Sequence, residues 1–104
     1  MSDIALFYTC FADRAAAERV AETLLAERLI ACANILAPCA SLYRWQGRIE
    51  RAEEVPVLFK SRPMLAQRLR ERIEALHPYE LPVIESWSVA TSAAITGWIE
   101  AETL

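Results

Sequence analysis

The chain changes its hydrophobic period in a fixed order, and that order limits the folds open to it. The run "IALFYTCF" (Ile4 to Phe11), bounded by Asp3 and Asp13, is rich in β-formers and reads as a buried strand. The period then lengthens in "RAAAERVAETLLAERL". There Ala17, Val20, Ala21, Leu24 and Leu29 follow a 3–4 spacing and Asp13 can cap the first turn, so a one-sided helix is expected. A second strand follows at about Ala31 to Leu36, where Pro38 interrupts it. "ASLYRWQGRIE" and "EEVPVLFKS" read as partners in an antiparallel hairpin turning near Arg51 to Glu53. Tyr43 and Trp45 share one face by alternation, as do Val55, Val57 and Phe59. "RPMLAQRLRERIEAL" is a second helix, with Pro63 in its first turn and a Leu65–Leu69–Ile73–Leu76 stripe, stopped by Pro78. "PVIESWSV" is the last main strand. Thr91 or Ser92 then caps a short final helix with Ile95, Trp98 and Ile99 on one face.

This order, β-α-β-β-α-β plus a terminal helix, is the ferredoxin-like α+β arrangement built on an antiparallel sheet, in a single domain over residues 1–104. Two helices cover one face of such a sheet. The other face carries aromatic and aliphatic residues and needs a cover as well. Composition sharpens the point: 55% of the 104 residues are apolar, in a chain short enough to run out of interior positions. The excess points to a face buried against other copies, so the chain reads as a subunit.

Several partners are excluded by charge and pattern. Net charge is −3 with no long block of one sign, which argues against nucleic acid and anionic membrane as primary partners. In the one basic stretch, "QRLRERIE", Arg68, Arg70 and Arg72 alternate with Glu71 and Glu74 in the manner of a solvated helix face. No apolar run has the length of a membrane span, and "MSDIALFY" has no signal-peptide character. Cys10, Cys32 and Cys39 are odd in number and lack CxxC spacing, which suits reduced thiols in the cytoplasm. Two glycines leave no room for a phosphate-cradling loop.

The only histidine, His77, lies in "LHPYELPVIE" beside two prolines and two carboxylates. A single imidazole base with no nucleophile elbow or oxyanion-forming turn gives little footing for catalysis, and a non-enzyme is expected. Glu53–Glu54, beside the expected turn, read as solvated charge. Imidazole, thiolate and carboxylate together suit copper or zinc, yet no tight ligand motif is present. His77 can equally close the last carbonyls of its helix, with Tyr79 and Pro78 packing the turn.

Four segments carry a resemblance: "ERLIACANI" (Glu27 to Ile35), "LYRWQGRIE" (Leu42 to Glu50), "LFKS" (Leu58 to Ser61) and "LHPYELP" (Leu76 to Pro82). In their order and spacing the chain resembles the CutA family, the divalent-cation tolerance proteins, over nearly its whole length. The resemblance implies a homotrimer with sheets joined edge to edge around a threefold axis. It also implies kinship with the PII signalling proteins, trimers that bind small effectors in clefts between subunits. By position it carries over Cys32 from the "AC-N" strand and His77, Tyr79 and Glu80 from "HPYE". Cys32, His77 and Glu80 are thus the expected ligands for copper or another divalent metal ion. Tyr8 stands where some members have cysteine, Val83 where many have glutamate and Ser88 where proline is common. Two other roles stay open: a PII-like sensor of a small effector, and a trimeric scaffold in which "HPYE" only shapes a subunit contact.

Overall fold

The computed structural model describes residues 2–104. Five strands and three helices follow in the order β1 (Ser2–Phe11), α1 (Arg14–Ala26), β2 (Cys32–Ile35), β3 (Cys39–Trp45), β4 (Arg48–Ser61), α2 (Ala66–Leu76), β5 (Glu85–Thr91) and α3 (Ala93–Glu102). The sheet runs β2-β4-β1-β5, with β3 also paired to β4, and every pairing is antiparallel. The α+β class and the antiparallel sheet are as expected. Three strands rather than two lie between α1 and α2, because β2 and β3 run end to end along the same side of β4. β2 pairs with Val57–Lys60 and β3 with Arg48–Glu54, and the break falls at the segment containing Pro38.

The hairpin turns earlier than the pattern suggested. Its corner is Gln46–Gly47, between Trp45 and Arg48, not Arg51 to Glu53. Both corner residues have positive φ, 51° and 80°, as a tight two-residue turn requires to match the twist of its strands. β4 is consequently 14 residues long. Its second half lies in the main sheet, and its first half forms with β3 a two-stranded arm reaching away from the helices.

Alternation along β1 and β4 directs Ala5, Phe7, Phe11, Val55, Val57 and Phe59 to the helices, where they form the core with Ala17, Val20, Leu24, Leu69 and Ile73. Asp13 caps α1 by accepting from the Ala16 N–H at 2.8 Å, and Ser92 caps α3 by accepting from Ile95. α1 ends on Arg28, whose φ of 59° places a bulky residue where glycine is usual. Its guanidinium reaches the carbonyls of Ala101, Glu102 and Thr103, closing the end of α3. On the expected face of α3 only Ile99 is buried; Ile95 and Trp98 stay exposed.

The basic stretch of α2 is not a purely solvated face. Arg72 forms a two-bonded pair with Glu27 of the α1 end, at 2.8 and 2.7 Å, and holds that carboxyl below its usual range. Arg70 lies over the Phe7 ring and donates to the Ile84 carbonyl and the Ser86 hydroxyl. Those bonds fix the approach to β5, which begins at Glu85 and not at Pro82. The segment between α2 and β5 is therefore an irregular connection anchored at both ends.

Candidate functional site

That connection holds His77. Its backbone N–H closes α2 on the Ile73 carbonyl at 2.8 Å, and its extended ψ of 129° is the conformation a residue before proline prefers. The side chain does something the sequence does not suggest. Its Nε2 lies 2.9 Å from the Cys10 carbonyl, while Nδ1 accepts from the Tyr79 N–H at 3.2 Å. An Nδ1 that accepts leaves the proton on Nε2, so the ring is the neutral Nε2–H tautomer. The ring stacks on Phe11 with centroids 4.4 Å apart and is buried. Burial holds its pKa below the ordinary value, outweighing the Cys10 carbonyl and the Glu54 charge, which pull the other way.

The sheet explains why Cys10 needs this donor. Along β4 the backbone groups of Pro56 face β2, where its carbonyl accepts from Leu36, so Cys10 turns its own toward the β5 side, and β5 stops at Glu85 opposite Tyr8. The Cys10 carbonyl thus lies beyond the last β5 donor, and His77 supplies one.

Tyr79 continues the network. Its hydroxyl donates to Glu54 Oε2 at 2.6 Å, and burial together with that bond pushes the phenol pKa well up. Glu54, expected as solvated charge, is half-buried in β4. With Cys10, Tyr43, Arg44, Trp45 and Glu80 these residues line a cleft of about 530 Å³ between the arm and the "HPYE" turn, and the exposed Leu81 and Val83 complete its lining. Cys10 is half-buried there. Burial raises its pKa, and its thiol donates to the Tyr8 hydroxyl at 3.5 Å, whose own pKa rises to about 12.

The three expected ligands are not gathered within one protomer. Glu80 lines the cleft and is exposed, while His77 is buried behind Tyr79 and Cys10 with both nitrogens engaged. Cys32 lies on β2 opposite Lys60, four positions along β4 from the partner of Cys10, or about 13 Å at strand rise. Among the described residues no group of three or more His, Cys, Asp or Glu side chains is arranged to hold a metal ion. Among the cleft residues, Cys10 is a thiol that the sequence offers beside Cys32 as a possible ligand, whereas it gives Glu54, Tyr43 and Trp45 no site role. Their signal was the hairpin register, which a correctly placed corner at Gln46–Gly47 would have supplied.

Comparison with known proteins covers almost the whole chain. The family described as CutA1 divalent ion tolerance protein matches residues 5–102. A divalent-cation tolerance protein CutA from Pyrococcus horikoshii is 49% identical over 79 residues, which is 76% of each chain. The crystal structure of CutA1 from Ehrlichia chaffeensis superposes with a TM-score of 0.94 at 31% identity, covering 100% of this chain and 98% of the other. A structure from Archaeoglobus fulgidus, described as a periplasmic divalent cation tolerance protein, gives 0.90 at 30% identity over 95% and 97%.

Proposed function

This chain belongs to the CutA1 divalent ion tolerance protein family, and from that footing we propose that it works as one subunit of a homotrimer whose clefts take a small effector. The observation that carries the effector reading is the state of His77: both ring nitrogens already hold protein partners, so the turn shapes a cleft instead of offering a ligand. Support for assembly comes from the arm, which leaves large apolar side chains uncovered. Ile49 is 73% exposed and Leu42 60% exposed on the face turned away from the cleft. β5 and the β2–β3 side are open sheet edges suited to pairing with another copy.

The second reading keeps the metal. Copper or another divalent ion would be held between protomers by Cys32, His77 and Glu80, with Glu80 exposed and Cys32 half-exposed at a sheet edge in favour of it. For that, His77 must release the Cys10 carbonyl or the Tyr79 N–H, a cost of about 1–3 kcal/mol for each group left unsatisfied.

Copper titration of the reduced protein, with mass followed by light scattering, separates the two for wild type, His77→Ala and Cys32→Ala. Weak binding that neither substitution changes, by an intact trimer, supports the effector reading. Submicromolar binding in fixed ratio to the trimer, lost in both variants, establishes the metal reading. A monomer at micromolar concentration removes the assembly from both. Three half-buried or partly exposed free thiols suit a cytoplasmic setting, and no described helix is long and apolar enough to cross a membrane.

A further inference from the structure

We propose that the cleft selects a small organic ammonium ion carrying an apolar body; this deepens the effector reading above and rests on it. The chemistry of the lining carries the inference. Tyr43 and Trp45 sit on the same face of the arm as Glu54, as the register Tyr43↔Glu50 and Cys39↔Glu54 requires, and Tyr79 closes the opposite side. Three aromatic rings therefore bound one space. Leu81 and Val83 add apolar surface at the mouth.

The charge in that space is negative and incompletely matched. Glu54 is half-buried among these rings, and its only hydrogen bond among the described residues is the one Oε2 accepts from Tyr79. It has no salt-bridge partner there, and Glu80 at the rim has none either. Arg44 also lines the cleft and Arg48 is the cross-strand partner of Trp45, yet neither forms an ion pair with Glu54 or Glu80 among the described residues. A carboxylate in a partly desolvated aromatic setting gains from a cation that can enter without losing its own solvation in full.

An organic ammonium meets that condition better than an inorganic ion does. Hard divalent cations require six or more oxygen ligands, and the cleft offers two carboxylates beside one thiol, one guanidinium, aromatic rings and aliphatic side chains. An alkyl- or arylammonium puts its charge beside Glu54, its N–H or N–CH groups against the ring faces, and its apolar body on Leu81 and Val83. Phosphate-bearing and carboxylate effectors are disfavoured by the same two glutamates.

Calorimetric titration of the assembled protein at neutral pH tests this with three probes of matched shape: phenethylammonium, 2-phenylethanol and 3-phenylpropionate. The expected order is ammonium tighter than alcohol by roughly tenfold or more, with the carboxylate not binding. Glu54→Gln should abolish that preference while leaving alcohol binding in place. Glu80→Gln should reduce it only a few-fold, and Trp45→Ala should weaken ammonium and alcohol together. Light scattering on each variant shows that assembly is retained. Equal affinity for the three probes, or a preference unchanged in both glutamate variants, overturns the ammonium assignment and leaves the effector cleft standing. Binding of none of them, with acrylamide unable to quench tryptophan in the cleft, means that a partner subunit fills it, and both readings fall.

Discussion

The Nε2–H of His77 donates to the carbonyl of Cys10 at 2.9 Å, joining residues 67 positions apart. The bond supplies a donor on the side of β1 that β5, ending at Glu85, does not reach. It ties the "HPYE" turn to the far end of the central strand, and through Tyr79 the turn is held to Glu54. The only imidazole thus stands where β5 ends two residues short of Cys10.

Acid should loosen this tie in a defined window. The ring is neutral in the fold with its pKa below the ordinary 6.5, so below that value the unfolded chain binds more protons than the folded one. The stability that His77 contributes is therefore complete above 6.5 and is lost as pH falls through the folded pKa. Thermal melts of wild type should show Tm dropping through this range. Melts of His77→Gln, which keeps a donor for Cys10 and cannot titrate, should lack that component, and parallel profiles for the two proteins would refute it.

Tyr79→Phe removes one hydroxyl and leaves the ring. Loss of the bond to Glu54 should cost about 1.5 kcal/mol in urea unfolding, the range for hydrogen bonds to charged groups. The double variant with Glu54→Gln should lose less than the sum of the two single changes, because they share that bond.

The two glycines should respond in opposite directions. Gly47 has φ of 80° and nothing within 4 Å of an added Cβ, so Gly47→Ala meets only backbone strain and should cost about 1 kcal/mol. Gly97, inside α3 and equally open, has no such conformation, and Gly97→Ala should stabilise by about 0.8 kcal/mol. Denaturation midpoints at constant m-value read both.

Arg28 has two roles that substitution separates. Arg28→Gly relieves the left-handed backbone but loses the bonds to Ala101, Glu102 and Thr103; Arg28→Ala loses the bonds and keeps the strain. Alanine should therefore be the worse by about 1 kcal/mol. Amide exchange at the end of α3 should quicken in both variants.

Periodicity made most of the fold legible. The apolar spacing of α1 and α2 named their buried faces, and Asp13 and Ser92 marked two helix starts by their capping chemistry. The hairpin was misplaced because a charged stretch, Arg51 to Glu53, was favoured over Gln46–Gly47, where left-handed backbone is needed. That shift carried Glu54 from a turn, where it would be solvated, into a strand facing a cleft. Arg70 and Arg72 looked solvated because spacing along one helix says nothing of Phe7 or Glu27 arriving from elsewhere. The family resemblance named His77 as a ligand, but nothing local to "HPYE" shows that both of its nitrogens are needed by backbone groups of β1 and the turn itself.

The sheet order has a consequence for how the chain is made. β1 is synthesised first, yet it lies between β4 and β5 and pairs with nothing nearer than Val55. During translation the segment Ile4 to Phe11 emerges as an unpaired, β-prone apolar stretch and stays so on the order of seconds, until its partner is made. α1 can shade it sooner. A strand made well ahead of β4 cannot satisfy its backbone until β4 follows, which makes the nascent chain a candidate client for chaperones that shield such strands.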